Sequence, residues 1–362
     1  RSTLFPYTTL FRSPYRIVLE VERVAGTRID TRVRVGGELS DRKGVNREGG
    51  GISAHVLTDK DREDIRFAAD NGIDYVAVSF ARTADDINEA RVLLRQWRGH
   101  ARVVAKIERQ EAVTNLAQIV DATDAVMVAR GDLGVEMGYA EITGLQKTII
   151  HQTRNKQRAV ITATQMMESM IQNPVPTRAE VSDVANAVMD GTDAVMLSAE
   201  TAVGRYPVRA VQAMARVIEG AEKYQVTHSR QWHRVEGQFS GTEEAIAMSV
   251  MYAANHMKVR AIIALTESGL TPLLMSRIRS DIPIYALTAH EPTRRRVTLY
   301  RGVYPVPFET VADDDSLYDA IFDRILELKL VKAGDLVILT KGEHAGVQGG
   351  TNSLRILKVT RR

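Results

Sequence analysis

The sequence contains no cysteine. This absence excludes disulfide frameworks, thiolate metal sites and cysteine nucleophiles, and it fits a reducing compartment. Long apolar runs are also absent, because no stretch approaches the roughly 18 to 20 residues that a membrane-spanning helix needs. The first residues lack the pattern of a secretory signal. We therefore expect a cytoplasmic protein with no membrane partner.

The chain also lacks a strong excess of either charge. Its 48 Lys and Arg residues are nearly balanced by 45 Asp and Glu residues, and the two signs are interspersed. Nucleic acid is therefore not indicated as a partner. Hydrophobic residues make up 44% of the chain and charged residues 26%, which is typical of a folded soluble protein. A length of 362 residues leaves room for two or three domains.

The N-terminal segment has an unusual composition. It begins with Arg1, repeats the unit TLF within residues 1–13 and shows no amphipathic period. We interpret residues 1–13 as a non-native segment and exclude them from fold reasoning. A native disordered tail is the alternative.

Residues 14–52 and 53–225 differ in their pattern. The first segment alternates polar and apolar residues and ends near Gly49, Gly50 and Gly51, which predicts a small, partial β domain. In the second segment, short apolar strands alternate with amphipathic helical stretches, which is typical of βα units around a parallel sheet. The predicted strands are Asp74–Phe80, Arg102–Glu108, Ala125–Ala129, Ala159–Thr164 and Asp193–Ser198.

These units predict an α/β fold containing a partial (β/α)₈ TIM barrel. About three leading units would be missing, because closure of such a barrel needs eight strands. An open parallel sheet is the alternative. We favour the barrel because polar residues follow each strand, where barrel enzymes carry their chemistry. These residues are Ser79, Lys106, Glu108, Arg130–Asp132, Thr164 and Ser198–Glu200.

A polar stretch over residues 226–241 predicts a linker to a second α/β domain over residues 242–362. The predicted helix Glu243–His256 opens that domain. Its predicted strands are Ala261–Leu265, Ile282–Leu287, Val303–Phe308, Asp335–Thr340 and Arg355–Val359.

Lys106 and Glu108 form the first part of a candidate site. They lie two residues apart in one predicted strand, so both side chains face the same side. Asp132 follows the next strand in a segment with flanking glycines, whose backbone N–H groups can approach an anion. Two carboxylates without nitrogen or sulfur ligands suit Mg²⁺ or Mn²⁺. Lys106 would then stabilise charge on a phosphoryl group or an enolate.

Structural roles are the alternative for the same residues. Lys106 and Glu108 would form a buried ion pair, and Asp132 would cap a helix. Thr164, at the end of another predicted strand, could relay a proton or could serve as a turn or cap residue. The placement of three charged residues at consecutive strand ends has no evident packing purpose, and it favours the functional interpretation.

Four long motifs resemble the pyruvate kinase family. They are VVAKIERQEAV (103–113), MVARGDLGVE (127–136), ITATQMMESM (161–170) and NPVPTRAEVSDVANAVMDGTDAVMLSAETAVGRYP (173–207). The resemblance extends from about Tyr15 to the C-terminus, and EAIAMSVMYAANH with TESG and YRGV resembles the bacterial type II form. It implies an Mg²⁺-dependent glycolytic phosphotransferase that converts phosphoenolpyruvate and ADP to pyruvate and ATP.

The resemblance also implies roles for individual residues. Lys106 matches the lysine that stabilises the phosphoryl group, while Glu108 and Asp132 match the divalent-metal ligands. Thr164 matches a threonine implicated in protonating the enolpyruvate. Gly131 matches a backbone N–H donor to the substrate, and Asp132 also belongs to the substrate site. Two further positions match residues that line that site, namely Ser79 and Arg130.

The sequence departs from the family at several points. The family's first barrel strands carry an Asn-Phe-Ser-His-Gly motif and a phosphate-binding arginine, which supply the K⁺ site, and this sequence lacks them. We therefore expect the chain to lack the family's N-terminal part, K⁺ site included, and to be inactive or poorly stable alone because barrel edges stay unpaired. Val203 stands where some relatives have lysine, which puts a nucleotide contact there in doubt.

The second domain resembles the family's allosteric effector domain. A strand-to-helix turn with small hydroxyl residues offers N–H groups to a phosphate, and its candidate residues are Thr266, Ser268, Gly269 and Thr271. Simple capping is the alternative. Residues 341–351 form a second Gly-rich segment that would close over the ligand. The type II resemblance favours AMP or a sugar monophosphate over fructose 1,6-bisphosphate.

The resemblance further implies a homotetramer. Arg178 and Glu180 follow a Pro-rich turn and are candidates for an interface, although local capping explains them equally well.

Two other functions remain open from the sequence. An Mg²⁺-dependent aldolase or lyase on a related barrel would also hold a pyruvate enolate between Glu, Asp and metal. It would need neither the second domain nor the β segment at residues 14–52, which resembles part of the family's lid domain. A non-catalytic, effector-binding subunit is the third possibility, and the absent N-terminal strands are its best support.

Overall fold

The computed structural model describes residues 9–12, 17–37, 45–47, 55–228, 238–309, 314–342 and 349–360. The chain divides into two compact units, residues 1–217 and residues 218–362. Across the described ranges, every helix is too short or too polar to cross a membrane.

The described strands are β1 (Thr9–Arg12), β2 (Ile17–Ala25), β3 (Arg28–Val35), β4 (Val45–Arg47), β5 (Tyr75–Val78), β6 (Arg102–Ile107), β7 (Ala125–Ala129), β8 (Ala159–Ala163), β9 (Ala194–Val195), β10 (Ala261–Leu265), β11 (Ile284–Thr288), β12 (Val303–Pro307), β13 (Leu336–Gly342) and β14 (Thr351–Lys358).

The described α-helices are α1 (Asp59–Asp70), α2 (Ala84–Gln96), α3 (Gln110–Thr114), α4 (Leu116–Ala122), α5 (Arg130–Met137), α6 (Ile142–Asn155), α7 (Arg178–Asp190), α8 (Ala199–Ala202), α9 (Pro207–His228), α10 (Thr242–His256), α11 (Leu270–Ser276), α12 (Glu291–Val297) and α13 (Asp314–Glu327). A 3₁₀-helix covers Glu168–Ile171.

The N-terminal sheet is antiparallel, in the order β3-β2-β1-β4. Strand β2 pairs with β3 as a hairpin within the segment predicted as a small β domain. Of the segment interpreted as non-native, residues 9–12 form β1 between β2 and β4, while residues 1–8 and 13 lie outside the described residues. The predicted turn at residues 49–51 also lies outside them.

The second sheet is parallel, and its order β5-β6-β7-β8-β9 follows the chain. This order, with helical segments between the strands, confirms the predicted α/β class and all five predicted βα strands. The two outer strands are shorter than predicted, since β5 covers only Tyr75–Val78 and β9 only Ala194–Val195. Helices pack on this sheet around a core that includes Ile87, Leu94, Ile107, Ile119, Leu133 and Ile149.

A repeated pentapeptide, TDAVM, anchors the beginnings of two strands in this sheet. In its first copy, Asp124 Oδ2 accepts the N–H of Val103 at 2.9 Å. The buried Thr123 hydroxyl accepts the Ala105 N–H at 3.1 Å and lies within donating distance of the Val103 and Ala125 carbonyls. These bonds fix the start of β7 against β6.

The second copy repeats the arrangement one strand pair further along. Asp193 Oδ2 accepts the Val160 N–H at 2.9 Å, and the Thr192 hydroxyl lies 3.1 Å from the Val160 carbonyl oxygen and 2.9 Å from that of Ala194. It also accepts a hydrogen bond from Thr162. The start of β9 is thereby fixed against β8, although β9 itself has only two residues.

The second unit contains a five-stranded sheet in the order β12-β11-β10-β13-β14. Its first four strands in that order are parallel and β14 is antiparallel to β13. Each of the five predicted strands is present, and α10 begins one residue before its predicted start.

Helix α9 continues to His228, three residues into the predicted linker at residues 226–241. Gln225 is buried and accepts a hydrogen bond from Arg301. The rings of Tyr224 and His228 stack with their centroids 4.2 Å apart. These contacts hold a polar sequence in helical form, which its composition alone does not indicate.

We expect Thr123→Val to lower the free energy of unfolding by about 1–3 kcal/mol, because it leaves the buried Ala105 N–H without its acceptor while keeping the side-chain volume. Urea denaturation followed by circular dichroism measures this change. Thr123→Ser retains the hydroxyl and is the matched control. Equal loss in both variants would show that packing of the methyl group, not the hydrogen bond, stabilises the strand pair.

Candidate functional site

Lys106 and Glu108 lie together at the carboxyl end of β6. Lys106 Nζ lies 2.5 Å from Glu108 Oε1 and donates a hydrogen bond to Ser79 Oγ, 2.8 Å away, just beyond β5. The Glu108 side chain is 1% exposed and that of Lys106 is 24% exposed. A buried carboxylate therefore holds an ammonium group that still reaches solvent.

The Glu108 carboxylate has a second fixed partner. Phe80 N–H donates to Glu108 Oε2 at 2.7 Å. Phe80 adopts φ +56°, in the left-handed region that bulky residues rarely enter, and the Arg109 guanidinium lies 5.1 Å from the centre of its ring. The strained backbone conformation of Phe80 thus directs its N–H toward the Glu108 carboxylate.

Burial raises the pKa of Glu108. The positive charge of Lys106 and the N–H of Phe80 oppose this rise, while the negative charge of Asp132 adds to it. Asp132 is therefore close enough for the two carboxylates to repel each other. A cation placed between them would relieve that repulsion.

The carboxylate oxygens of Glu108 differ in their hydrogen bonding. Oε1 is buried and lies 2.5 Å from the Lys106 ammonium without a conventional hydrogen bond, whereas Oε2 accepts the Phe80 N–H. An oxygen with a free lone pair beside a second carboxylate fits a hard divalent cation. Within the described ranges, His, Asp and Glu form no cluster of three or more that could hold a metal, so Glu108 and Asp132 would bind such an ion together with substrate and water oxygens.

Asp132 lies in a helix, although its flanking glycines are more typical of a loop. Helix α5 begins at Arg130, directly after β7, so Gly131 and Asp132 occupy its first turn. An N–H in the first turn has no partner within the helix. The Gly131 N–H donates instead to Thr164 Oγ1 at 2.8 Å.

Thr164 follows β8 in a strained conformation. Its φ is +65° and that of Gln165 is +53°, although a β-branched residue strongly disfavours this region. The hydroxyl accepts the Gly131 N–H and donates to the Ala163 carbonyl at 2.7 Å. Thr164 Oγ1 therefore joins the ends of β7 and β8.

Arg130 lies beneath these strand ends. It is 8% exposed, and its guanidinium donates to the Thr164 carbonyl at 2.8 Å and to Asp183 at 2.6 Å. It also lies 3.3 Å from Gln146 Oε1. In this arrangement the guanidinium binds acceptors within the protein and supports the strained backbone of Thr164.

Glu136 was not predicted as a site residue. This buried residue in α5 accepts the backbone N–H of Gln110 at 2.9 Å, in the segment after β6. Burial raises its pKa; the Gln110 N–H and the Arg109 charge oppose the rise, and Glu111 and Asp132 add to it. Its position four residues after Asp132, on the same helix face, was the available signal.

Glu200 was noticed only as a polar residue after a strand. It is 4% exposed and accepts the backbone N–H groups of Met167 at 3.1 Å and Ser198 at 2.8 Å. It thereby joins the segments that follow β8 and β9. Val203 stands where some relatives of the family have a lysine, and it is 77% exposed.

The candidate effector residues adjoin the start of α11 in the second unit. Thr266 Oγ1 accepts the Gly269 N–H at 3.0 Å, and Ser268 Oγ accepts the Leu270 N–H at 3.4 Å. Gly269 has φ +82°, and a Cβ there would lie 2.7 Å from Val297 Cγ1. Thr271 is buried, with its Oγ1 2.7 Å from that of Thr351. Residues 343–348 of the second Gly-rich segment lie outside the described residues.

Glu180 has a local structural role. Thr177 and Glu180 form a capping box at the start of α7, and Glu180 also accepts the N–H of Ser169 at 2.7 Å and its hydroxyl at 2.6 Å. These bonds agree with the capping interpretation of the Pro-rich turn. Arg178 is exposed.

Two family models match the chain. The model described as the barrel domain of pyruvate kinase matches residues 8–211, and the model described as its alpha/beta domain matches residues 244–357. The matches confirm the predicted fold class, a barrel-type domain followed by a C-terminal α/β domain.

Several curated proteins are similar to this chain. Pyruvate kinase II of Salmonella typhimurium is 54% identical over 95% of the chain and 72% of its own length. Pyruvate kinases of Buchnera aphidicola subsp. Baizongia pistaciae and of Haemophilus influenzae are 50% and 51% identical, each over 95% of the chain and 72% of their own length.

We expect Glu180→Gln to destabilise the protein less at low pH than at neutral pH. Burial tends to raise the pKa of Glu180, but its hydrogen bonds from Ser169 and Thr177 outweigh this effect and lower the pKa below its ordinary value of 4.5. The stability contributed by the ionised group is complete above about pH 4.5 and is lost as pH falls through the lowered pKa. Thermal unfolding of parent and variant between pH 3 and pH 7 measures the difference. A difference that stays constant with pH would contradict the prediction.

Proposed function

Because the chain belongs to the pyruvate kinase family of phosphotransferases, we propose that the residues at the carboxyl ends of β5 to β8 carry out its reaction. In that reaction a phosphoryl group moves from phosphoenolpyruvate to ADP and gives pyruvate and ATP. The observation that supports this assignment most directly is the position of Lys106 Nζ, between Ser79 Oγ and the buried carboxylate of Glu108.

Lys106 stabilises the phosphoryl group during transfer. Its ammonium contacts Glu108 and Ser79, which leaves one of its three N–H bonds for the transferring group. A fixed positive charge at the point where negative charge moves is the main source of catalysis in phosphoryl transfer. Ser79 restricts the ammonium to one position and so reduces the reorganisation that the reaction requires.

Glu108 and Asp132 hold the divalent metal. The family generally uses Mg²⁺ and K⁺, and the buried Oε1 of Glu108 beside the Asp132 charge supports these two residues as ligands, with Mn²⁺ as a substitute. A bound divalent ion supplies positive charge to the oxygens of the substrate. The Gly131 N–H, in the same helical turn, donates to Thr164 Oγ1, so it would have to exchange that acceptor for an anionic substrate group in order to bind the substrate.

Thr164 holds the proton that the enolate receives. Its hydroxyl proton is directed to the Ala163 carbonyl, and its oxygen accepts the Gly131 N–H. A hydroxyl whose proton and oxygen are both held by hydrogen bonds can pass its proton, directly or through a water, to a substrate carbon near the strand end. Arg130 keeps the strained segment of Thr164 in place by binding its carbonyl.

The alternatives drawn from sequence have less support. A lyase or aldolase would explain the Glu108 and Asp132 carboxylates, but the chain matches both domains of pyruvate kinase. A non-catalytic subunit would not need a lysine held over a buried carboxylate. We therefore place the second unit in regulation and the first in catalysis, with domain limits at 14–52, 53–225 and 242–362.

We further propose that a phosphorylated effector binds beside Thr266, Ser268 and Gly269. This segment follows β10, next to β13, where the direction of the sheet order changes, and such positions commonly bind ligands. Thr271 would anchor the segment through Thr351 rather than bind the phosphate. The family pattern also leads us to propose a homotetramer in the cytoplasm.

We expect Lys106→Met to reduce kcat for ATP formation at least about a hundredfold, because it removes the charge that stabilises the transferring group. A lactate dehydrogenase-coupled assay of the full-length protein measures this change. Lys60→Met is the control, since Lys60 is an exposed residue of α1 that pairs with nearby Asp64. Turnover by Lys106→Met within threefold of the parent would overturn the assigned role.

We expect Ser268→Asp to raise the concentration of AMP or ribose 5-phosphate needed for half-maximal activation about tenfold or more, because a fixed negative charge repels the phosphate. Titration of initial rates with each effector measures this shift. Ser249→Asp, an exposed change on α10 of the same unit, is the control. Unchanged activation of Ser268→Asp by both effectors would show that the phosphate binds elsewhere.

A further inference from the structure

The two segments that carry Glu108 and Asp132 are joined by the side chain of Glu136. Its Oε2 accepts the Gln110 N–H at 2.9 Å. Gln110 is the first residue of α3, and its N–H has no acceptor within that short helix. Glu136 is 9% exposed, so the accepting carboxylate lies largely out of water although Gln110 itself is exposed.

The hydrogen bond between Glu136 and Gln110 links the two segments that carry the Glu108 and Asp132 carboxylates. Glu108 lies two residues before Gln110, so the backbone segment that Glu136 holds is the one that places the Glu108 carboxylate. Asp132 lies four residues before Glu136 in α5, so the two side chains share one face of the helix. One hydrogen bond therefore connects the backbone segment that follows Glu108 to helix α5, which carries Asp132.

The charges around Glu136 argue against a simple structural ion pair. Arg109 lies near enough to lower the pKa of Glu136, but Glu111 and Asp132 both raise it, and burial is the largest influence. Burial of a carboxylate near two other acidic groups costs more free energy than capping a five-residue helix would require. A neutral acceptor could make the same bond at lower cost if capping were its whole purpose.

We propose that Glu136 is a positioning residue, which sets the spacing between the Glu108 and Asp132 carboxylates so that both can bind one divalent cation. This inference rests on the proposed function, in which those two residues are the metal ligands. Mg²⁺ requires ligand oxygens at about 2.0–2.1 Å in near-octahedral geometry, so a small displacement of either segment weakens binding. Partners behind the ligands commonly change metal affinity about 10- to 100-fold.

Three substitutions separate the hydrogen bond from the charge. Glu136→Gln keeps an acceptor oxygen at the same reach and removes the charge. Glu136→Asp keeps the charge but is one methylene shorter, so it cannot reach Gln110 N without moving the backbone. Glu136→Ala removes both. Binding of Mn²⁺ to the protein, followed by the electron paramagnetic resonance signal of the free ion, gives the Kd for each.

We expect Mn²⁺ Kd within about threefold of the parent for Glu136→Gln and at least about tenfold higher for Glu136→Asp and Glu136→Ala. In steady-state kinetics, the Mg²⁺ concentration that gives half-maximal rate should rank the variants in the same order as the Mn²⁺ Kd. The change in kcat at saturating Mg²⁺ should be smaller than the change in that concentration. Should Glu136→Ala fail to fold, the comparison of the Gln and Asp variants decides the question.

Glu180→Ala is the matched control. Glu180 also accepts backbone N–H groups at a segment that follows a strand of the same sheet, but it joins neither segment that carries a metal ligand. Its Mn²⁺ Kd should stay within twofold of the parent even though thermal stability falls. An equal rise in Kd for Glu180→Ala would attribute the effect to general loosening and overturn the proposal.

Two further outcomes would also overturn it: a parent-like Kd in both Glu136→Asp and Glu136→Ala, or a Kd in Glu136→Gln as high as in Glu136→Ala, which would assign the effect to charge. Glu108→Gln separates this proposal from the assigned function. If Glu108→Gln binds Mn²⁺ as the parent does, the metal site itself is misplaced. If Glu108→Gln loses Mn²⁺ while the Glu136 variants bind normally, only the positioning role fails.

Discussion

The contact between Lys106 and the buried carboxylate of Glu108 imposes the main constraint on the first unit. Burial of a carboxylate is unfavourable unless a cation and hydrogen-bond donors surround it. Lys106 supplies the cation, and Phe80 supplies a donor only by adopting a strained backbone conformation. The surrounding structure must therefore be rigid enough to maintain that strain, and the same rigidity keeps the ammonium in one place for chemistry.

Rigidity at the carboxyl ends of the strands comes from a series of contacts between neighbouring segments. Glu108 binds the segment after β5, and Glu136 joins the segments after β6 and β7. Thr164 and Arg130 join those after β7 and β8, and Glu200 joins those after β8 and β9. At the opposite ends, the two TDAVM copies fix strand starts. Each connection is made by a polar group that is partly or fully buried, and leaving such a group or its partner without a hydrogen bond is costly.

Sequence patterns predicted the strands well because each is a short, nearly continuous apolar run between polar residues. The helical state of Gly131 and Asp132 was missed because glycine and aspartate favour loops when considered locally. Here β7 delivers the chain directly into α5, and Leu133 and Val135 are buried. The end of α9 was misplaced for a similar reason, since the contact that buries Gln225 comes from Arg301, far away in the chain.

The sequence by itself determined the α/β class, the order of the strands and the pairing of Lys106 with Glu108, because these follow from periodicities of two and 3.6 residues. Only the tertiary structure decided which N–H groups the buried carboxylates accept. Each of these carboxylates accepts one N–H from a residue between 26 and 33 positions away in the chain: Phe80 for Glu108, Gln110 for Glu136 and Met167 for Glu200. No local pattern encodes such pairs, because they arise when neighbouring parallel strands bring their carboxyl ends to one edge of the sheet.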